Sequence, residues 1–160
     1  MFLHLYQRIQ EMFSKTCEYA VRALIFVAQK SKDGSKIGIK DISKGIDSPE
    51  YFIAKILQEL SRKGFVESIK GPNGGFYLEN NQLKISIADI VRAMDGDKLF
   101  SGCGLGLKVC SEKHPCPIHN EFKHIRENIT VMLENSTLEM YLDSVEFRLT
   151  SFVNDKLKIV

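Results

Sequence analysis

Three features of this 160-residue chain predict a mainly α-helical fold with one small β-hairpin and a long helix behind it. Apolar residues recur at helical spacing over residues 14–30, 49–63 and 87–94. A strand-like alternation over residues 65–69 runs into Gly71-Pro72-Asn73-Gly74-Gly75, a turn, and a returning strand begins at Phe76-Tyr77-Leu78. A further helical stripe follows a loop rich in Gly and Cys.

The composition sets the frame. With 44% hydrophobic and 26% charged residues and no Trp, the chain is that of an ordinary globular protein. A domain of this length buries roughly 68–70% of its unfolded surface, enough for a real core. No run approaches the roughly 20 apolar residues needed to span a bilayer. The net charge of +2 neither demands nor forbids a polyanionic partner.

Taken in order, the first helix is marked by Tyr19, Ala20, Ala23, Leu24, Val27 and Ala28. Residues 1–11 read as an N-terminal extension ahead of it. A turn at Lys32-Asp33-Gly34-Ser35 leads to a very short strand or extended segment at residues 37–39. A short helix over residues 39–44 should stop at Gly45, and Ser48-Pro49 reads as an N-cap followed by Pro at the first helical position. The next helix carries Phe52, Ile53, Ile56, Leu57 and Leu60 on one face and Lys55, Gln58, Arg62 and Lys63 on the other, ending at Gly64. Two helices joined by a tight turn, then a hairpin, make a winged helix-turn-helix, with residues 87–94 as a helix behind it. This domain is expected to occupy residues 12–95, followed by a cysteine-rich loop at 96–117 and a dimerisation helix and tail at 118–160.

The last segment rests on Ile118, Phe122, Ile125, Ile129 and Met132, whose steps of four, three, four and three form an a/d seam. It covers only about two heptads, so a stripe packed on its own domain is the competing reading. A homodimer is the expectation carried forward.

Winged helices bind double-stranded DNA through a few residues, with phosphate contacts supplying affinity and base edges supplying specificity. Residues 12–95 carry 13 Lys and Arg against 10 Asp and Glu, whereas from Gly96 onward the balance is 8 against 9. The small excess sits where a polyanion would bind, and a dimer doubles it. Candidate contacts are Ser48, Tyr51 and Lys55 around the second helix of the motif, and Lys70, Asn73 and Gly74 on the wing. The competing reading is a solvated basic face on a protein-docking module.

Of four cysteines, Cys103, Cys110 and Cys116 fall within fourteen positions, while Cys17 stands alone in the first helix and reads as a small buried hydrophobe. An odd trio is a poor disulfide framework, and residues 1–11 lack the apolar run of a secretory signal, so a cytoplasmic setting is expected. Gly102, Gly104 and Gly106 allow the loop to wrap, and Pro115 and Pro117 stiffen it around Cys116 at the start of the long helix, with Pro117 expected at its first position. Three thiolates there suit an iron-sulfur cluster, with His119 the nearest fourth ligand and His114 or a residue from elsewhere in the dimer as competitors. Structural zinc and a bare thiol switch are the alternatives, although the gaps of six and five residues lack the short Cys-x-x-Cys knuckles of common zinc modules. The chain also lacks a Cys-x-x-Cys redox pair, a nucleotide-binding glycine fingerprint and a general-base constellation, which argues against an enzyme.

The stretches Cys17-Glu18-Tyr19-Ala20-Val21-Arg22-Ala23-Leu24, Ile69-Lys70-Gly71-Pro72-Asn73-Gly74-Gly75-Phe76 and Ile87-Ala88-Asp89-Ile90-Val91-Arg92-Ala93-Met94, with the cysteine trio, form a specific set. Over residues 12–144 the chain resembles the dimeric winged-helix iron-sulfur transcriptional regulators, the family that includes IscR, NsrR and CymR. The resemblance implies a cytoplasmic bacterial transcription factor, a repressor by expectation, that binds palindromic promoter DNA as a homodimer, with neither a membrane nor a small-molecule substrate as partner. It implies that the three loop cysteines hold a cluster, 2Fe-2S favoured and 4Fe-4S the alternative. His119 matches the histidine ligand of IscR-like members. Glu18 matches the position that supplies a carboxylate from the partner subunit in NsrR-like members, so the fourth ligand stays open between them. The six-residue first cysteine gap exceeds the usual five, and Ala54 stands where IscR and CymR carry a base-contacting glutamate, implying a different operator.

A cation beside a glycine-rich hairpin tip suits close approach to a phosphate. Lys70→Ala should therefore weaken DNA binding and reduce the slope of log affinity against log salt by about one, as read by fluorescence anisotropy at several salt concentrations. An unchanged slope removes Lys70 from the interface.

Overall fold

The computed structural model describes residues 12–143; the expected extension at 1–11 and the tail from 144 lie outside the described residues. The chain runs through α1 (Lys15–Lys30), α2 (Ile39–Gly45), α3 (Glu50–Arg62), β1 (Glu67–Ile69), β2 (Gly75–Tyr77), a 3-10 turn (Gln82–Lys84), α4 (Ile87–Asp95), α5 (Lys98–Ser101), α6 (His119–Asn135) and a closing 3-10 turn (Leu138–Tyr141). This is the mainly α architecture with a hairpin wing that the sequence predicts.

The core is built on α1. Cys17, Ala20, Ala23, Leu24, Val27 and Ala28 are buried, and the small side chains let α3 and α4 pack close to the helix axis. Ile53, Leu57 and Leu60 of α3 are fully buried against it, each contributing about 1.5–3 kcal/mol of transfer free energy. Ser14 caps α1 by accepting the Cys17 N–H at 3.1 Å, and its own N–H donates to Asp95 Oδ2 at 2.8 Å, which ties the start of α1 to the end of α4. Cys17 is core, as its lone helical position predicts: burial first, then the Asp95 carboxylate, pushes its thiol up to about 12.

The helix-turn-helix differs from the sequence reading in its turn chemistry. Gly45 does not stop α2 in a left-handed conformation but is its last residue, and the left-handed residue is Asp47, at φ 51°. Gly45 is required for space, since a Cβ there would fall 2.1 Å from Cε2 of Phe26. Ser48 is not the N-cap of α3: its N–H donates to Ser43 O at 3.0 Å, which fixes it to the end of α2, and its Oγ is buried without a hydrogen-bond partner. Pro49 occupies the cap position, and its carbonyl accepts from Phe52 at 3.0 Å and Ile53 at 3.1 Å.

In the wing, Glu67 pairs with Tyr77, Ser68 with Phe76 and Ile69 with Gly75. The short segment expected near Ile37 adds one antiparallel bridge to Phe76. Gln82, buried and unforeseen, donates to Gly64 O at 3.0 Å and Glu67 Oε1 at 2.9 Å while accepting from the Glu79 N–H at 2.9 Å, which fastens the wing's base to the core. α4 opens with a capping box between Ser86 and Asp89.

α6 begins at His119, two residues later than the Pro117 start the sequence predicts, because Cys116 O accepts the His119 N–H at 3.0 Å in a turn that precedes the helix. Its far end is anchored: Leu133 and Leu138 are buried, Ile87 N donates to Ser136 O at 2.8 Å, and Leu138 N donates to Ile85 O at 3.0 Å.

Replacing Gly45 by Ala adds helix propensity worth about 1 kcal/mol but forces the Phe26 ring aside. Overpacking of this kind costs about 1–3 kcal/mol. Gly45→Ala is therefore expected to lower the urea midpoint, and a raised midpoint would show that Phe26 moves freely.

Candidate nucleic-acid interface and metal-ligand loop

α3 presents Tyr51, Lys55, Gln58 and Arg62 to solvent at spacings of four, three and four, one continuous stripe opposite its buried face. Tyr51 is 68% exposed, with Lys55 Nζ 5.1 Å from the centre of its ring. A large exposed aromatic beside a cation suits a phosphate backbone and base edges better than it suits bulk water. Lys63, which the sequence places on the same polar side, is diverted: its Nζ donates to Glu59 Oε1 at 2.7 Å and to Ala93 O at 2.6 Å, closing the end of α4. Ser48 lies in the turn between α2 and α3, where Ser43, Lys44, Asp47, Ser48 and Pro49 line an open depression of about 420 Å³.

On the wing, Lys70 and Asn73 are exposed, and Gly74 N donates to Gly71 O at 2.9 Å to close the tip. Gly74 supports the wing rather than offering a side chain, because a Cβ there would meet Ile69 O at 2.1 Å. The six predicted contacts thus fall into the helix-turn-helix, at Ser48, Tyr51 and Lys55, and the hairpin tip, at Lys70, Asn73 and Gly74.

The cysteine loop folds onto the first two turns of α6. Cys103 Sγ lies 3.9 Å from Cys116 Sγ, and Cys110 Sγ lies 3.5 Å from His119 Nδ1. The four predicted donors are therefore gathered as two touching pairs, one of two thiols and one of thiol and imidazole. Among the described residues, no group of three or more His, Cys, Asp or Glu is drawn together as a site for a single metal ion. The donor chemistry, soft sulfur with one imidazole at a helix start, nonetheless suits iron-sulfur or zinc ligation. The N–H of Leu105, then that of Leu107, with help from Cys116 and Gly106, holds the Cys103 thiol below the usual cysteine range. His119 is only 7% exposed. His114 is exposed, and Glu18 in the first turn of α1 pairs with Lys15 at 3.0 Å.

One face of α6 holds this loop. His119, Phe122, Lys123 and Arg126 recur at i, i+3, i+4 and i+7. The Phe122 ring lies so close to Gly104 that a Cβ there would stand 2.8 Å from it. Lys123 pairs with Glu112 of the loop, and the Arg126 guanidinium reaches Gly102 O and Cys110 Sγ. The sequence reading missed Lys123 and Arg126. Their signal is the spacing from His119, which a charged helix face easily conceals.

The predicted seam is split by the same geometry. Its a positions, Ile118, Ile125 and Met132, are 40%, 56% and 52% exposed. Its d positions turn inward, Phe122 onto the loop and Ile129 onto the core. Among the described residues no helix is long and apolar enough to cross a membrane.

Comparison with known proteins agrees with this architecture. The model of the Rrf2 family, described as iron-dependent transcriptional regulators, matches residues 13–144. An HTH-type transcriptional regulator of Aquifex aeolicus is 33% identical over 130 residues, which cover 80% of this chain and 89% of the relative. The HTH-type transcriptional regulator IscR of Pectobacterium atrosepticum is 28% identical over 128 residues, 80% of this chain and 77% of its own. The solved structure of CymR, the global cysteine regulator of B. subtilis, superposes with a TM-score of 0.69 at 23% identity over 84% of this chain and 98% of that one, a likeness of fold. These relatives are regulators and not enzymes, and with a helix-turn-helix and wing in place the chain belongs to the Rrf2 family of DNA-binding transcriptional regulators.

Proposed function

We propose that this protein is a homodimeric promoter-binding regulator, a repressor by expectation, whose DNA affinity depends on an iron-sulfur cluster, 2Fe-2S favoured, held by Cys103, Cys110, Cys116 and His119. The observation that carries the reading is the gathering of those donors in two pairs where the loop meets the start of the helix that also presents Ile118, Ile125 and Met132. His119 is favoured over Glu18 as fourth ligand because it already touches Cys110, whereas Glu18 is paired with Lys15. When bound, the cluster supplies a centre reactive toward oxidants and nitric oxide.

The chain's own residues do the rest. Residues 12–95 read DNA, with Tyr51 and Lys55 at base edges or phosphates, Ser48 at the turn, and Lys70, Asn73 and Gly74 forming the wing tip. Residues 96–117 hold the ligands, and the helix from 118 pairs with a second copy through its exposed a positions. On α6 the loop-holding face and the seam lie about 100° apart around the axis. A loop released from Phe122, Lys123 and Arg126 frees the N-terminal half of α6, and the spacing of the two recognition helices changes with it. The cluster-loaded and cluster-free dimers must then differ in DNA affinity, since a ligand indifferent to two states shifts nothing.

The test uses full-length protein purified without air. Stoichiometric iron and sulfide with visible charge-transfer absorption, dimeric sedimentation at micromolar concentration, and at least about a fivefold change in promoter affinity on Cys110→Ser substitution are expected. Colourless protein with zinc would replace the cluster by a structural metal. Equal affinities of loaded and substituted protein would remove the sensing role, and monomeric sedimentation would remove the seam.

A further inference from the structure

Arg126 has so far served only as a tether between the loop and α6, and its charge has been given no role. Arg126 Nη1 donates to Gly102 O at 2.6 Å and reaches Cys110 Sγ at 3.5 Å. Those two acceptors flank Cys103 in sequence, so one guanidinium closes the first arm of the loop. The planar group also stands over Phe122, with Cζ 6.0 Å from the ring centre, and the residue is half-buried. None of the ion pairs among the described residues involves Arg126, whereas its neighbour Lys123 is engaged by Glu112. A half-buried guanidinium with no carboxylate of its own, directed at a sulfur, is an arrangement suited to balancing thiolate charge.

We infer that Arg126 is the charge-balancing and positioning residue of the cysteine loop: it steadies Cys110 as a thiolate ligand and raises the reduction potential of a cluster bound there. The inference rests on the cluster reading proposed above and adds to it a residue that is not a ligand. Two physical consequences separate it from simple packing. A hydrogen bond and positive charge on a ligand sulfur favour the reduced, more negative state of an iron-sulfur centre, so removing them lowers the potential. Partners of metal ligands also hold those ligands in place, and their loss typically costs about 10–100-fold in metal affinity. Lys at this position keeps the charge but not the fork that grips Gly102 and Cys110 together.

The experiment compares wild type, Arg126→Gln and Arg126→Lys as full chains, purified and reconstituted without air. It reads midpoint potential by dye-mediated titration, the visible spectrum, and the rate of iron loss to a chelator. Arg126→Gln is expected to move the potential negative, shift the sulfur-to-iron bands and lose iron at least about 10-fold faster. Arg126→Lys is expected to stay near the wild-type potential while still losing iron faster. A merely structural role would lower cluster content in both variants and leave the potential and bands of the remaining clusters unchanged, which would overturn the inference alone. If Arg126→Gln fails to load, Arg126→Lys carries the test, and wild-type iron retention in it, or a potential shifted well away from wild type, would overturn the inference. Wild-type protein without iron and sulfide overturns both this inference and the cluster reading.

Discussion

Everything that distinguishes this chain from a bare winged helix hangs on how α6 is held. At its C-terminal end the helix is fixed to the domain by buried Leu133 and Leu138 and by backbone bonds from Ile87 to Ser136 and from Leu138 to Ile85. At its N-terminal end, His119 is the only residue of the helix buried before Leu133, and its ring meets Cys110 of the loop at 3.5 Å. The helix is about 25 Å long, so its two ends can respond to different surroundings. The loop therefore packs on this end of the helix, and whatever alters the loop alters the support of the helix.

A physical route joins this helix to the DNA-reading face. Glu134 near the end of α6 meets Arg92 of α4 at 2.7 Å, and the adjacent Ala93 carbonyl accepts from Lys63, just past the end of α3, at 2.6 Å. The ion pair is partly exposed and contributes little stability by itself. It joins helices whose Val91 and Leu133 are both buried in the same core cluster, so α3, α4 and the C-terminal half of α6 share one packed body.

The elements set by periodicity were legible in the sequence. Buried Leu24, Ile53, Leu57, Leu60 and Ile90 repeat at helical spacing, and the glycine-rich wing tip announces itself. Turn chemistry was less legible, because it depends on what neighbours the turn. Gly45 looks like a helix stop but is a space for Phe26, nineteen positions earlier, and Ser48 looks like a cap but is captured by Ser43. The candidate donors, whose ligand role is proposed above, were legible by residue type, since thiols and imidazole have few uses at such density. The face of α6 that receives them was not, because Arg126 meets Gly102 across 24 positions and a lone Arg on a polar helix has the pattern of a solvated residue. The stripe proposed as a seam divides in the structure: its a positions are exposed, while its d positions have partners that only the folded loop and core provide.

The close stacking of the Gly104 backbone on the Phe122 ring makes the loop and its helix a matched pair. Cysteine spacing can be transplanted between proteins as a string of letters, but a surface that fits a ring at van der Waals distance cannot. A graft of this loop onto another scaffold would need to bring the glycine, the phenylalanine and the helical register that aligns them. The cysteines, taken alone, are not a portable module. The working unit is thus the contiguous stretch from Gly102 to Arg126, within which a change of loop must be matched by the helix face it packs on.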